Sequence, residues 1–224
     1  MVMVMNGLSE SAENYLKAIY RLSRNNEFIK PKVLMDVLPY ASSTITIILQ
    51  RLASKGYVEY RKYRGVRLTE KGKIHAAKIL RAHRVFEVFL YQKLLMDIID
   101  IHVEACKAEH ALSTRVVDKL YEFLDKPKRC PHGNPIPTED LETPKLNDTP
   151  LARAEKGMYV VTRISYETVD ILRIAKNLGM IPGKRIRIIH LDPKHNVVIL
   201  DVDGRSQTVP LSIARVINVV KIEE

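Results

Sequence analysis

The sequence predicts an α+β protein in three parts: three helices with a β-hairpin, an all-helical segment, and a small β-barrel. Apolar residues recur at helical spacing through most of residues 8–126, and they alternate in short runs after residue 156. A polar stretch rich in proline, residues 127–156, separates the two patterns. We therefore expect three domains, at residues 1–74, 75–145 and 146–224.

The N-terminal part combines three helices with a basic hairpin. Residues 12–22 have the apolar spacing of an amphipathic helix, and a short helix is predicted around residues 32–38. A third helix, Ser42–Ser54, begins at a serine N-cap and stops at Gly56. Two alternating strands follow, YVEYRKY and VRLTEKG, joined by an Arg-Gly turn. Helix, turn, helix and basic hairpin are typical of a winged helix-turn-helix.

The middle part is helical almost throughout residues 74–126. Ser113 is placed to begin its last helix, which ends before Pro127. Because two or three helices of this size do not close a core alone, we expect this part to pack against a second copy of itself, as a homodimer.

The C-terminal part returns to short strands with Gly and Pro turns. The predicted strands are MYVVTRI, KRIRIIHL, NVVILDV, QTVPL and RVINVV, interrupted by one helix near residues 168–178. Five short strands of this kind are typical of a small barrel.

Charge points to a polyanionic partner. The chain has a formal net charge of +10, and residues 1–75 contain 13 basic against 6 acidic side chains. Such a basic excess in one segment favours nucleic acid before membrane. No segment reaches the roughly 18 apolar residues of a membrane span, and the start of the sequence lacks the pattern of a secretory signal. We expect a cytoplasmic protein with no membrane partner.

A group of metal-binding residue types occurs in the segment HVEACKAEH. On a continuous helix, His102, Cys106, Glu109 and His110 would share one face, and an earlier helix presents His83 and Glu87 four residues apart. Thiolate, carboxylate and imidazole together suit a transition metal rather than Mg²⁺ or Ca²⁺. The alternative is a solvated polar stripe with a buried cysteine.

Four motifs resemble the diphtheria toxin repressor family of metal-dependent transcriptional regulators. HVEACKAEH resembles its metal-binding helix and RAHRVFE the helix before it. CPHGNPIP resembles the turn that follows, and SAENYLKAIYRL the first helix. NLGMIPGKRIRII is similar to an SH3-like C-terminal domain shared with ferrous iron transport accessory proteins. The resemblance implies a homodimeric repressor of metal homeostasis genes that binds double-stranded operator DNA and has no small-molecule substrate.

Position by position, the resemblance implies two metal sites. The regulatory site would consist of Asn14, Cys106, Glu109 and His110, and the ancillary site of His83, Glu87, His102, Glu167 and Asp170. Glu167 and Asp170 are equally consistent with a helix N-terminus, where the dipole favours acidic residues.

Two positions depart from the family and bear on the metal. Asn14 stands where iron-type members have Met and manganese-type members have Asp. Lys17 stands where manganese-type members have a carboxylate, and its ammonium would oppose a second nearby cation. Cys106 and the third domain also resemble the iron-type members. The sequence therefore favours Fe²⁺, with Mn²⁺ or Zn²⁺ as alternatives.

The predicted DNA-binding residues belong to the recognition helix Ser42–Ser54 and to the hairpin. From the helix they are Ser42, Ser43, Thr44, Thr46, Ile47 and Arg51, and from the hairpin Arg61, Lys62 and Arg64. Hydroxyl and basic side chains contact phosphates, and Ile47 is suited to a thymine methyl group.

The expected mechanism is a metal-induced population shift. A metal joining Asn14 to Cys106, Glu109 and His110 would fix the recognition helices about 34–36 Å apart for binding in successive major grooves. Three alternatives stay open: an enzyme, a DNA-binding regulator with a purely structural metal, and a metal-buffering protein. An enzyme is disfavoured because the sequence has no Gly-rich phosphate loop, nucleophile elbow or HExxH motif.

Overall fold

The computed structural model describes residues 8–23, 27–35, 42–144 and 146–223. The chain divides into two compact units. The N-terminal unit comprises Met1–His83, Glu109–Thr114 and Pro137–Thr143, and the C-terminal unit comprises Arg84–Ala108, Arg115–Ile136 and Pro144–Glu224. The expected boundary between residues 74 and 75 falls inside a long helix, Glu70–Lys93.

The N-terminal unit has the predicted helices and hairpin. Its elements are α1 (Glu10–Leu22), α2 (Pro31–Met35), α3 (Ser42–Ser54), β1 (Val58–Arg61), β2 (Gly65–Leu68) and the first half of α4 (Glu70–Lys93). Helix α1 begins where the Ser9 hydroxyl accepts a hydrogen bond from the Ala12 N–H at 3.3 Å. The predicted continuation of α2 to residue 38 lies outside the described residues.

A single apolar core holds this unit together. Tyr15, Leu16 and Ile19 of α1 are fully buried with Leu49 of α3 and Val66 of β2. Burial of large side chains of this kind contributes about 1.5–3 kcal/mol each.

The same core brings charged side chains of α1 out of water. Glu13 and Lys17 are only 8% and 9% exposed. Charged groups are rarely buried unless they are paired, so Glu13 and Lys17 each require a partner of opposite charge.

The C-terminal unit contains the second half of α4, further helices and a sheet. From α4 onward the elements are α5 (Ile98–Ala108), α6 (Thr114–Phe123), β3 (Thr149–Pro150), a 3₁₀ turn (Leu151–Arg153), β4 (Gly157–Ile164), α7 (Val169–Asn177), β5 (Arg185–Asp192), β6 (Val197–Val202), β7 (Arg205–Pro210), α8 (Leu211–Ala214) and β8 (Ile217–Lys221). The five predicted strands are β4 to β8, and the short β3 is additional.

All ladders of this sheet are antiparallel, in the order β3-β8-β4-β5-β6-β7. The buried faces of the strands enclose a core that includes Val161, Ile188, Leu200 and Ile217, together with Leu172 of α7. The predicted fold class, α+β with a small C-terminal β-domain, is confirmed.

Asp148 anchors the start of this sheet. Its carboxylate accepts hydrogen bonds from Arg163 at 2.8 and 2.9 Å, from the Thr162 hydroxyl at 3.0 Å and from the Asn218 amide at 3.0 Å. Burial raises the pKa of Asp148, but the hydrogen bonds and charge of Arg163 lower it by more, so that it lies below its ordinary value.

Asp148→Asn is expected to destabilise the C-terminal unit by about 1–3 kcal/mol at neutral pH, the cost of losing charge-assisted hydrogen bonds. Because the pKa of Asp148 is lowered by folding, its contribution is complete above its unfolded pKa of about 4 and is lost as pH falls through the folded value. Urea unfolding at pH 7 and in acid measures the difference, which should shrink in acid. Asp203→Asn, at a side chain 67% exposed, is the control. An equal effect of both changes at pH 7 would contradict the prediction.

Candidate metal centres and nucleic-acid interface

A buried carboxylate surrounded by basic groups lies in the N-terminal unit. The Glu109 side chain is fully buried, and the Lys17 ammonium contacts its Oε1 atom. His83 Nδ1 lies 2.7 Å from Glu109 Oε2, and His110 Nε2 lies 3.2 Å from Oε1. Glu109 is therefore the partner that the burial of Lys17 requires.

Glu13 of α1 is held by two imidazoles. Its Oε1 lies 2.8 Å from His75 Nε2, and its Oε2 lies 2.6 Å from His110 Nδ1. His110 thus bridges Glu13 and Glu109 and ties α1 to the segment Glu109–Thr114. We call the set Glu13, Lys17, His75, His83, Glu109 and His110 the N-terminal cluster.

The electrostatics of this cluster favour carboxylates and protonated histidine. Burial raises the pKa of Glu109, but His83, His110 and Lys17 lower it far below its usual range. Burial lowers the pKa of His110, but its hydrogen bonds to Glu109 and Glu13 outweigh this and raise the pKa to about 9. Two carboxylates therefore concentrate negative charge in a buried place, which is what a cation site requires.

The donor set of the N-terminal cluster fits a divalent transition metal. Imidazole nitrogen and carboxylate oxygen are its available ligand atoms, a mixture that suits Fe²⁺, Mn²⁺ or Zn²⁺. His110 Nε2 is buried and lies 3.2 Å from a Glu109 oxygen. A metal ion that binds there would take the place of the proton on this ring nitrogen.

A second cluster lies in the C-terminal unit. The ligand atoms of Glu87, Cys130, His132 and Glu167 all lie within 4.8 Å of one another. The two carboxylates, the thiol and the imidazole are at most 4% exposed. His102 joins the set, with its Nδ1 atom 3.3 Å from Glu87 Oε1. We call Glu87, His102, Cys130, His132 and Glu167 the C-terminal cluster.

The turn CPHGNPIP positions two of these residues. Gly133, with φ +83°, lies so close to β4 that a Cβ atom would be 2.0 Å from the Thr162 carbonyl oxygen. Asn134 donates from its amide to the Ile164 carbonyl at 2.7 Å and to Glu167 Oε1 at 2.5 Å. The turn is thereby fixed against the sheet, with Cys130 and His132 directed at Glu87.

The orientation of His132 also fits a metal. His132 Nε2 lies 2.8 Å from the Ile98 carbonyl oxygen, which only accepts hydrogen bonds, so Nε2 carries a proton. In neutral imidazole this leaves the lone pair on Nδ1, which lies 3.1 Å from Glu87 Oε1 and 3.9 Å from Glu167 Oε1. A ligating histidine commonly donates its other N–H to a carbonyl in this way.

Charge in the C-terminal cluster is balanced differently. Burial and the Glu87 carboxylate raise the pKa of the Cys130 thiol. Burial lowers the pKa of His132, but Glu87 outweighs it and raises the pKa well above the ordinary value. A protein-bound cation commonly deprotonates a coordinating thiol and replaces the imidazole proton, so the donor set is suited to one.

The predicted ligands of residues 102–110 do not all lie on one helix. Helix α5 ends at Ala108, so the prediction that Glu109 and His110 share a helical face with His102 and Cys106 is wrong. Glu109 and His110 lie in the turn after α5, as part of the N-terminal unit, where His83 joins them. Cys106 lies in the C-terminal unit, with Sγ 3.7 Å from His102 Nε2.

Two predicted ligands make no described contact with either cluster. Asn14 is half-buried on α1, where its neighbour Glu13 makes the contacts to the N-terminal cluster. The Asp170 side chain is 85% exposed and pairs with Arg173 at 3.1 Å, whereas Glu167 is buried in the C-terminal cluster. Asp170 lies in the first turn of α7, where the helix dipole favours an acidic side chain.

Sequence reasoning missed Glu13, Cys130 and His132. Cys130 and His132 are two residues apart in a turn rich in Pro and Gly, and this spacing of two ligand types was an available signal. Glu13 gave no comparable signal, because an acidic residue in the first turn of a helix is ordinary.

Residues predicted to bind DNA all belong to the N-terminal unit. On α3, Ile47 is 64% exposed and Arg51 is exposed, while Thr44 and Thr46 are half-buried. The side chains of Ser42 and Ser43 lie outside the described residues. Arg61, Lys62 and Arg64 are exposed on the β1–β2 hairpin, which we call the wing.

These features define a class of protein: a winged helix-turn-helix protein whose DNA-binding unit contains a buried cluster of metal-ligand types. Three family models match the chain. They are the N-terminal DNA binding domain of iron dependent repressors at residues 7–66, the metal binding and dimerisation domain of iron dependent repressors at residues 69–138, and the FeoA domain at residues 149–221.

Known proteins are similar over most of the chain. An HTH-type transcriptional regulator of Methanocaldococcus jannaschii is 40% identical over 53% of this chain and 96% of its own length. The iron-dependent repressor IdeR of Mycobacterium leprae is 27% identical over 97% of this chain and 100% of its own. The structure of the manganese regulator SloR superposes with a TM-score of 0.83 and 30% identity, covering 96% of this chain and 100% of that one.

The chain belongs to the diphtheria toxin repressor family of metal-dependent transcriptional regulators. The resemblance drawn from the four sequence motifs is confirmed, and the chain has the family's DNA-binding and dimerisation domains.

Proposed function

We propose that this protein is a cytoplasmic repressor of metal homeostasis genes that binds operator DNA as a homodimer when divalent metal is bound. The observation that carries the proposal is the bridge made by His110 between Glu13 of α1 and Glu109. Helix α1 packs against α3 in the core of the N-terminal unit. A metal ion bound between Glu13, Glu109 and His110 would therefore change the position of α1, which supports the recognition helix α3.

In the N-terminal cluster, Glu13, His83, Glu109 and His110 would hold the metal. A divalent cation there would supply the positive charge that the two carboxylates now receive from Lys17 and from protonated imidazole. Lys17, in contact with Glu109, would oppose a second cation in the same place. The predicted role of Asn14 stays a prediction, as does that of Cys106.

In the C-terminal cluster, Glu87, Cys130, His132 and Glu167 would hold a second ion, with His102 in reach of Glu87. Imidazole, carboxylate and a thiol that is deprotonated on binding suit Fe²⁺ or Zn²⁺ better than Mg²⁺ or Ca²⁺. We propose Fe²⁺ as the physiological metal, with Mn²⁺ and Zn²⁺ as the alternatives.

Exposed apolar side chains in the C-terminal unit support the homodimer. Tyr91, near the end of α4, is 47% exposed, and Leu94 and Leu95, just after it, are 54% and 85% exposed, while Phe123 of α6 is 61% exposed. Apolar side chains exposed in this way commonly belong to a protein interface. Among the described residues, no helix is long and apolar enough to cross a membrane.

The test is binding of duplex DNA by metal-stripped protein, titrated separately with Fe²⁺ under anaerobic conditions, with Mn²⁺ and with Zn²⁺. A fragment from upstream of the protein's own gene is the probe, and a scrambled duplex of equal length is the control. We expect specific binding to appear only with metal and at the lowest free concentration with Fe²⁺. Equal affinity with and without metal would contradict the regulatory role.

The second candidate is a DNA-binding regulator whose metal is purely structural. The burial of all four donors in the C-terminal cluster favours this role for that cluster, since structural metal sites are closed. In that case chelators would unfold the C-terminal unit and leave DNA affinity unresponsive to added metal over the physiological range.

A further inference from the structure

Three arginines of the wing surround one phenyl ring. The guanidinium carbon of Arg61 lies 5.3 Å from the centroid of the Phe28 ring, that of Arg64 lies 4.6 Å away, and that of Arg67 lies 4.8 Å away. Each distance is within the range in which a cation is attracted to the face of an aromatic ring. Phe28 itself is half-buried, just before α2.

The backbone explains how Phe28 comes to this place. Its neighbour Ile29 forms a bridge with Val66 of β2, with N–H···O distances of 2.8 and 2.9 Å in the two directions. Gly65 permits this approach, because a Cβ atom there would lie 2.3 Å from the Ile29 carbonyl oxygen. The segment before α2 thus runs beside the wing and places the ring among its arginines.

The positive charge of this group is only partly neutralised. Glu59 of β1 contacts Arg61 at 2.5 Å and its cross-strand partner Arg67 at 2.5 and 2.6 Å. Among the residues that the structure describes, one carboxylate and one ring contact these three guanidinium groups, each of which has five N–H donors. The Arg61 and Arg67 side chains stay 52% and 35% exposed.

A cluster with this excess charge suits a phosphate-bearing partner. Three fixed cations around one ring repel one another, and a bound polyanion relieves that repulsion. The planar guanidinium group matches phosphate oxygens in a two-point contact. Strand β1 of the wing contacts α3, the predicted recognition helix.

We propose that Phe28 and Arg67 belong to the DNA interface, with Phe28 holding Arg61, Arg64 and Arg67 as a clamp for the phosphodiester backbone of duplex DNA. Arg67 contacts phosphate directly, and Phe28 is a positioning residue that acts through the arginines. This inference rests on the proposed function, because it assigns further residues to the same DNA surface.

The test measures duplex binding by the metal-loaded full chain across a range of salt concentrations. Arg67→Gln is expected to lower affinity about threefold to tenfold near 0.1 M salt and to reduce the slope of log affinity against log salt by about 0.9, the value for one phosphate contact. Arg173→Gln is the matched control, since Arg173 is also exposed and paired with one carboxylate.

Phe28 is tested by a pair of substitutions. Phe28→Leu keeps the apolar volume but removes the ring, and we expect a loss of about threefold to tenfold in affinity. Phe28→Tyr keeps the ring and is expected to retain wild-type affinity. Metal-binding isotherms of all variants should match the wild type.

Different outcomes would contradict the arginine clamp and the proposed DNA-binding function. If Arg67→Gln lowers thermal stability but leaves DNA affinity and the salt slope unchanged, the cluster only stiffens the hairpin and the clamp is overturned. If Phe28→Leu and Phe28→Tyr bind alike, the positioning role of Phe28 is overturned. If the wild-type chain binds no duplex in any metal state, the proposed function fails and the clamp with it.

Discussion

Glu109→Gln is expected to abolish metal-activated DNA binding and to destabilise the N-terminal unit by about 3–5 kcal/mol, the cost of breaking a buried ion pair from one side. Glu109 is the fully buried carboxylate that faces Lys17, His83 and His110 at once. The amide removes the negative charge and leaves an ammonium buried without its counterion. It also removes a carboxylate ligand from the proposed metal site.

Two measurements separate these effects. Thermal unfolding of metal-free protein reports the lost ion pair, and calorimetric titration with Mn²⁺, which is stable in air, reports the lost ligand. Glu104→Gln is the control, because Glu104 lies on α5 with its side chain 44% exposed and pairs with Lys107 three residues later. We expect it to change stability by less than about 0.5 kcal/mol. If Glu109→Gln binds as many Mn²⁺ ions per chain as the wild type and with the same affinities, the N-terminal cluster is not a metal site.

Glu87→Gln is expected to lower the number of tightly bound ions by one per chain, with a loss in affinity at that site of more than about 100-fold. Glu87 and Glu167 are the two carboxylates of the C-terminal cluster, and Glu87 is the one in contact with both His102 and His132. Because the Glu87 carboxylate also raises the pKa of His132, the substitution is expected to lower that pKa.

The measurement is metal content by elemental analysis after dialysis against Fe²⁺ or Zn²⁺, together with competition against a chelator of known affinity. Glu122→Gln provides the reference, since Glu122 is 54% exposed on α6 and contacts Lys119. An unchanged number of ions would show that the four buried donors of this cluster form a hydrogen-bonded network alone.

Much of the fold was predictable because its signals are local. Helix α3 has the expected bounds, Ser42–Ser54, and Gly56, whose φ is +74°, follows its end as the sequence predicts. The strands β4 to β8 follow from alternation and turn residues in the same way. The short β3 was not predictable, because two residues with no alternating pattern pair with β8 only through tertiary contacts.

The candidate sites were predictable in residue type but not in grouping. Residues 102–110 looked like one ligand-bearing helix, but α5 stops at Ala108 and the two following residues belong to another unit. The bridge from His110 to Glu13 spans 97 residues, a separation that no periodicity reports. Cys130 and His132 became ligand candidates only once the turn was seen packed against β4 beside Glu167.

The complete burial of the C-terminal cluster has a kinetic consequence. An ion enclosed by four donors, each at most 4% exposed, leaves only when the surrounding structure opens, so its exchange is limited by local unfolding. Histidines and carboxylates of the N-terminal cluster are up to about a tenth exposed, so an ion bound there would exchange faster. The metal occupancy of the C-terminal cluster would then change slowly after a change in metal supply, whereas the occupancy of the N-terminal cluster would follow the present concentration.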